Sequence, residues 1–525
     1  MKLSLILDSR NCSIAALLIC AAIMLFTATF SGVLLNHDCA LLLQCGRLIS
    51  DGSIPYVNHV ETNIHMSQYI YVPPVLLSII LGINVPLVFT AVVILFTFFT
   101  CFAVFLLVRK SGLFHSWAGV ALVSSSILIL SLKAYSLGDF GQREHLFVLA
   151  WLPFVLVRHS RMQDVGVSTA MAVFTGSLAG IMMLCKPSFF AQAALIEVWM
   201  GLYMRGKRAY RTPEMFAVYF VVLAFAVHLL LLPGSIQSPF FTRWIPFIAT
   251  GYHSYNASIC GIIGEFQQYW FLFLGSAILS IFVMFKSRRA IRHLLELLLV
   301  ASIIATGLFL LQHKGWPYQL FPAFGLVVVL ITVSIAVVYE KHKPNGNNAK
   351  LIIIAFLLSP VVACLILSGN SFRHADSAYS SMEEFLKIIE IYSDPGERIS
   401  FISTSVYPKY PTLVYADRLP GTRFMSAFPI ALIYSDAEIS NSGDFCYRSP
   451  PDMADEEMQF LTELGTDIRA HRPALVFVDA QVPCQACPAG FSIYDYLCDS
   501  GWLNEYLNDY RFLLTCRGFR TYRLD

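Results

Sequence analysis

Charge is what this sequence has least of. Only 13% of its 525 residues are Asp, Glu, Lys or Arg, about half the share found in an ordinary soluble domain. With 57% of residues hydrophobic, the chain falls outside the soluble globular class and reads as a polytopic membrane protein. Basic and acidic residues nearly balance, 36 against 34, so no overall field recommends a nucleic acid and none is expected as a partner. Internal repeats and low-complexity tracts are also missing. That counts against the paired halves of many secondary transporters.

Long apolar runs, by contrast, are abundant. A spanning helix needs about 20 mostly apolar residues, because its backbone groups must be satisfied within the helix itself. Eleven stretches qualify: 13–35, 84–108, 117–136, 145–158, 167–185, 189–204, 214–233, 269–286, 293–311, 318–339 and 350–368. With a cytoplasmic amino terminus, the inner segments hold seventeen Lys and Arg, whereas the outer loops before residue 369 hold six, Arg47, Lys133, Arg143, Lys186, Arg243 and Lys314. That asymmetry sets the orientation. The first run is longer than a signal-peptide core and more spans follow, so it reads as an uncleaved anchor.

Residues 1–370 therefore form a transmembrane part. Its first outer loop, 36–83, includes the amphipathic run ALLLQCGRLI, suited to an interfacial helix. Residues 371–525 change in composition and lie outside as a small α/β domain. There SMEEFLKIIEIY and SIYDYLCDSGWLNEYL read as helices, RISFISTSV and PALVFVDA as strands, and the terminal FLLTCRGFRTYRL as a hairpin.

The unusual polar residues collect in the outer loops. SLGDFGQREHLF, residues 136–147, carries Asp139, Arg143, Glu144 and His145 between two apolar runs. Asp38 follows the first span, Lys186 and Pro187 follow the fifth, and QHKGWPYQLFP places Gln312, Lys314, Trp316 and Tyr318 at the membrane surface. Each has a plain reading alone, Lys as a snorkelling anchor and Trp or Tyr as an aromatic belt. Together, acids, bases and aromatics on one side of a bundle suggest a wet cavity for an anionic ligand near the lipid boundary.

An acid after the first span, a G-x-x-P-Y element at Gly52–Tyr56, an acidic second loop, a Lys-Pro pair and a Q-x-K-G-x-x-Y signature at Gln312–Tyr318 resemble the GT-C class of membrane glycosyltransferases. The likeness is to the bacterial branch that uses polyprenyl-phosphate sugars, related to protein mannosyltransferases and to the lipid A aminoarabinose transferase. It implies a GT-C-like bundle of about eleven transmembrane helices in the inner membrane, with its active site and C-terminal domain in the periplasm. It implies transfer with inversion from a polyprenyl-phosphate sugar to a glycan, lipid or protein acceptor, with Asp38 as general base. Carried over, Arg143, Lys186 and Lys314 hold the donor phosphate, while Asp139, Glu144, His145, Tyr56, Gln312, Trp316 and Tyr318 contact substrate. The chain departs from the usual pattern in having HDC at 37–39 and NHVETNIHMSQYIY after the G-x-x-P-Y.

No cofactor is required by these readings. A divalent cation stays open, since His59, Glu61, His65 and His145 could supply ligands. Of 13 cysteines, Cys446, Cys484, Cys487, Cys498 and Cys516 fall in the outer domain, where structural disulfides leaving one thiol over are expected; Cys39 and Cys45 could stay free. A transporter or lipid flippase is the alternative function, because eleven spans also suit translocation.

Overall fold

The architecture is taken from a computed structural model. It describes residues 10–30, 35–204, 210–341, 382–434, 447–481, 487–488 and 490–525. They divide into two compact units, one drawn from residues 1–33, 89–228 and 257–376, the other from 34–88, 229–256 and 377–525.

The first unit is helical. Among the described residues five helices are long and apolar enough to cross a membrane: Val85–Lys110, Trp117–Ser136, Pro213–Leu231, Arg289–Leu311 and Pro317–Lys341. A sixth is added if Ile259–Gln267 and Trp270–Phe285, bent by 60°, count as one span. Helices also occupy the other expected positions, at Arg10–Phe30, Arg143–Met162, Thr169–Met183 and Pro187–Met204. Arg143–Met162 is too charged at its two ends for that criterion, and Thr169–Met183 has only 15 residues. The eleventh expected span, 350–368, lies outside the described residues.

Because lipid tails are as apolar as Leu, such helices are joined by polar contacts and close packing, each hydrogen bond worth about 0.6 kcal/mol. Thr97 and Ser131 hydroxyls meet at 3.1 Å, and Thr100 donates to the Leu149 carbonyl at 3.1 Å. Glu340 accepts from the amides of His115 and Ser116 at 2.5 and 2.8 Å. This satisfies amide donors at the start of the Trp117–Ser136 helix, an end that favours negative charge.

A buried ionic network ties three more helices. Arg158 is fully buried and grips Glu197 with two bonds, Nε to Oε1 at 2.9 Å and Nη2 to Oε2 at 2.7 Å. Its Nη1 also reaches Thr212 at 3.3 Å and Glu214 at 3.4 Å. Arg161 closes on Glu214 from the other side, with two contacts of 3.2 Å. Arg158, one of the seventeen inner-side Lys and Arg expected near the membrane surface, instead sits in the interior, where acids 39 and 56 residues away pair with its guanidinium.

The second unit is built on a five-stranded sheet, β1 Arg398–Ile402, β2 Leu419–Pro420, β3 Leu475–Asp479, β4 Tyr510–Cys516 and β5 Phe519–Leu524, in the order β2-β1-β3-β5-β4. β1 runs parallel to β2 and β3, while β5 is antiparallel to β3 and β4. β1 and β3 are the two expected strands, buried along nearly all of their length because they are central. The terminal hairpin turns at Arg517 and Gly518, both at positive φ, as two-residue hairpins require. Where one helix was expected over SIYDYLCDSGWLNEYL there are two, Ile493–Asp499 and Trp502–Tyr506. Gly501, at φ +76°, breaks them because a left-handed residue cannot continue a helix.

The first outer loop belongs to this second unit, not with the spans. Val60 bridges to Phe424, donating to Arg423 O at 2.7 Å and accepting from Met425 at 3.0 Å. Gln44 donates to Arg418 O at 2.7 Å, and Trp244 donates to Tyr56 O at 3.2 Å while packing against Phe424 and Phe428. Of the outer cysteines, Cys487 is disulfide-bonded, whereas Cys498 and Cys516 are both free thiols, so more than one is left over. Cys39 and Cys45 are buried and take part in no disulfide, and Cys39 Sγ lies 3.7 Å from the Tyr71 hydroxyl.

Candidate active site

The charged stretch 136–147 contains a tight turn between the Trp117–Ser136 and Arg143–Met162 helices. Gly138 and Gly141 both take positive φ, and a Cβ at Gly141 would meet the Phe89 ring at 2.5 Å. Within it, Asp139 N donates to Ala134 O at 2.7 Å and Gln142 N to Asp139 O at 3.0 Å. Reversing the chain this sharply sets Arg143 and Glu144 on the first turn of the following helix, both buried.

His145 is part of that scaffold. Its Nδ1 accepts from Gly141 N at 3.1 Å, so Nε2 carries the proton and donates to Ser131 at 2.9 Å. Phe140 and Phe321 flank the ring, at 5.3 and 5.7 Å between centroids. With both nitrogens committed, the expectation that His145 binds substrate or metal gives way to a structural role.

Glu144 and Lys186 form an ion pair through Oε1 and Nζ. Lys186 precedes a helix opened by Pro187, a residue pre-set for a first helical turn. Its ammonium also lies over the rings of Tyr318, at 5.0 Å, and Phe189, at 5.9 Å, within the reach of a cation–π contact. Trp316 stacks on Tyr318 with centroids 5.8 Å apart. Arg143, Glu144 and Lys186 all act electrostatically on Cys185. Three separate stretches of the first unit, at Arg143–Glu144, Cys185–Lys186 and Trp316–Tyr318, therefore lie together. Phe189 was missed, although Lys-Pro-x-Phe at the start of a helix was a readable signal.

Lys314 sits on a turn where His313 and Gly315 both take positive φ. It is only 7% exposed, and burial lowers its ammonium from the usual lysine range to about 8. Gln312, half-buried, turns its amide back to Leu308 O at 3.2 Å. Asp139 acts electrostatically on Lys133 and Tyr269.

Asp38 belongs to the second unit. It occupies the first turn of the His37–Ser50 helix, where the backbone dipole favours a carboxylate. The Asn36 side chain caps that helix by accepting from Asp38 N at 2.8 Å. His37 Nε2 stands 3.6 Å from the Asp38 carboxylate, and the His37 ring lies 6.4 Å from that of Tyr407. Tyr56, expected to touch substrate, is instead a core residue, 3% exposed, with its hydroxyl given to Asn63 O.

His59, raised as a metal ligand, has Nδ1 on Ser53 at 2.8 Å and Nε2 on Gln68 at 2.9 Å. Burial lowers its imidazole to about 4, keeping it neutral. Glu61 is occupied by Asn63 N, at 2.5 Å, and by the Asn63 and Thr62 side chains, and His65 packs between Tyr56 and Phe240. Among the described residues no three His, Cys, Asp or Glu gather as a metal site. The donor set first suggested for a cation therefore does not fit one.

Compared with solved structures, the chain matches ArnT from Cupriavidus metallidurans bound to undecaprenyl phosphate, with a TM-score of 0.59 at 12% identity over 97% of each chain. The fold is that of the GT-C glycosyltransferases. The apo state of the same ArnT matches with a TM-score of 0.56 at 11% identity, covering 96% of this chain and 97% of that one. The arabinofuranosyltransferase AftD from Mycobacteria matches with a TM-score of 0.51 at 11% identity, over 98% of this chain but 40% of its own. No protein-family model matches the sequence, and no curated protein matches it. At such identities the GT-C likeness is one of architecture, and what the chain does must be argued from its residues.

Proposed function

We propose that the protein is a membrane glycosyltransferase that moves a sugar from a polyprenyl-phosphate donor to a hydroxyl of a glycan, lipid or protein acceptor. The observation that carries this is the partly buried group of Arg143, Glu144, Lys186, Phe189 and Tyr318, formed from separate loops on a GT-C fold. Two cations against one carboxylate suit a lipid-linked phosphate monoester, and the aromatic faces suit a sugar or an isoprenoid unit. The ArnT match, whose own structure holds undecaprenyl phosphate, supports that choice of donor.

In this reading Arg143, Lys186 and Lys314 stabilise charge developing on the departing phosphate. Glu144 orients Lys186, Asp139 and Trp316 border the sugar, and Asp38 is the base. The chain crosses a bacterial inner membrane eleven times, with residues 371–525 as a periplasmic α/β domain. The sugar is a hexose or pentose, transferred with inversion.

The test is transfer of label from a radiolabelled polyprenyl-phosphate sugar to endogenous acceptors in membranes containing the protein. Time-dependent labelling is expected; movement of the lipid across the bilayer without sugar transfer would favour a flippase instead. A second measurement concerns Lys314. With its ammonium at about 8, about nine-tenths is protonated at pH 7 and about one-tenth at pH 9. Donor KM is therefore expected to rise about tenfold over that interval. Lys314→Arg, whose charge persists, should flatten the profile.

A further inference from the structure

The β4–β5 hairpin of the second unit carries four arginines. Arg511 pairs with Asp525 at 3.3 Å, Arg517 with Glu384 at 3.1 Å, and Arg523 lies over the Tyr392 ring at 5.1 Å. Arg520 is placed differently. Its guanidinium lies over two rings, Tyr494 at 4.3 Å and Phe512 at 5.3 Å, and among the described residues it makes no ion pair and no side-chain hydrogen bond. Asp495 and Asp499, on the same helix as Tyr494, act instead on Tyr447.

Strand alternation decides which groups surround Arg520. Phe512 stands opposite Tyr522 in the β4–β5 register, and Arg520 is two residues from Tyr522 on its own strand, so all three project from one face of the sheet. The rings of Phe512 and Tyr522 lie 5.9 Å apart. Arg511 and Arg523 stand opposite each other in the same hairpin and project from the other face. Cys498 and Tyr522 both act on the Tyr494 hydroxyl, which brings that ring into the same group. β4 is the last strand of the sheet, and the group is open at this rim: Phe512 is 50% exposed, while Arg520, Tyr494 and Tyr522 are partly buried.

A cation over ring faces is held in place without using its N–H groups. The planar fork of Arg520 is thus positioned with its donors unclaimed by the protein, and such a fork matches a carboxylate through two parallel bonds. One cation balances one negative charge, which fits a carboxylate better than a phosphate monoester carrying nearly two. Beside it the open Phe512 ring offers an apolar face, and the Tyr494 and Tyr522 hydroxyls offer polar tips. A ligand with C–H faces, hydroxyls around its ring and one carboxylate meets all of these groups.

We propose that Arg520, Phe512 and Tyr522 bind a uronic acid residue of a glycan, its carboxylate on the guanidinium and its C–H face on the Phe512 ring. The choice of a sugar over an acidic peptide rests on the glycosyltransferase reading, and it makes the acceptor an acidic glycan.

The full-length protein in detergent would be titrated calorimetrically, without donor, with trigalacturonate, its methyl ester, galactose 6-phosphate and triglutamate. Trigalacturonate is expected to bind about tenfold tighter than the ester, which keeps the rings and loses the charge, and tighter than the other two. Arg520→Gln should abolish that preference and Phe512→Ala should weaken binding severalfold. Arg511→Gln, on the opposite face, should change neither, and thermal midpoints check that each variant is folded. No binding of trigalacturonate, equal binding of acid and ester, tighter binding of galactose 6-phosphate or triglutamate, or a preference that survives in Arg520→Gln would overturn the assignment. Binding and transfer are read separately. A protein that transfers label yet binds no trigalacturonate removes this site alone, and one that binds it yet transfers nothing removes the glycosyltransferase reading alone.

Discussion

Asp38→Asn is expected to lower the rate of sugar transfer by about a thousandfold, within the range that a lost general base costs. In the proposed step the acceptor oxygen attacks the anomeric carbon while the bond from that carbon to the phosphate oxygen breaks, its electrons leaving with the phosphate. The acceptor proton passes to the Asp38 carboxylate. Asparagine keeps the shape and the position on the first turn of the His37–Ser50 helix but cannot take that proton. Donor affinity, measured by binding of the radiolabelled lipid, should change little, because the proposed phosphate ligands Arg143, Lys186 and Lys314 are untouched. A variant retaining full transfer would remove Asp38 from the mechanism. Loss of donor binding alongside turnover would make it a ligand and not a base.

The second large effect is on stability. Arg158→Ala should destabilise the protein by about 3–5 kcal/mol, because removing one partner strands buried charge. Glu197 would lose both of its bonds to the guanidinium, and Glu214, fully buried, would lose one of its two cationic partners and keep Arg161. A thermal midpoint lower by about 5 °C or more is expected in detergent. The double variant Arg158→Met, Glu197→Gln should recover part of the loss, since it removes the stranded Glu197 charge as well. If Arg158→Ala melts with the parent protein, the network carries no weight in folding. Three helices would then owe their association to packing alone.

These two residues also separate what is readable in sequence from what is not. Asp38, Lys186 and Tyr318 stand out in the sequence by type, order and sidedness, which are local properties, and the structure places Lys186 over the Tyr318 ring. From sequence Arg158 is one more inner-side basic residue, because the acids that neutralise it sit 39 and 56 residues away on other helices. His145 failed for a similar reason. A histidine in an acidic loop looks available until the turn at Gly141 and the neighbouring Ser131 claim both of its nitrogens.

Strands show the same division. β1, β3 and the β4–β5 hairpin were legible because apolar runs and turn residues are local signals. That the first outer loop joins them, through Val60 at Phe424 and Gln44 at Arg418, was not.

By itself the sequence determined that this chain is membrane-embedded and that its unusual polar residues collect in a few loops; its GT-C likeness could be drawn from those loops. Hydrophobic run length and charge placement are properties of neighbouring residues, so they need no fold to be read. Only the tertiary structure decided which charges are buried in pairs, which histidines are scaffold, and how three distant stretches build one unit. Burial and pairing arise from contacts between segments far apart in the chain, and residue spacing does not encode them.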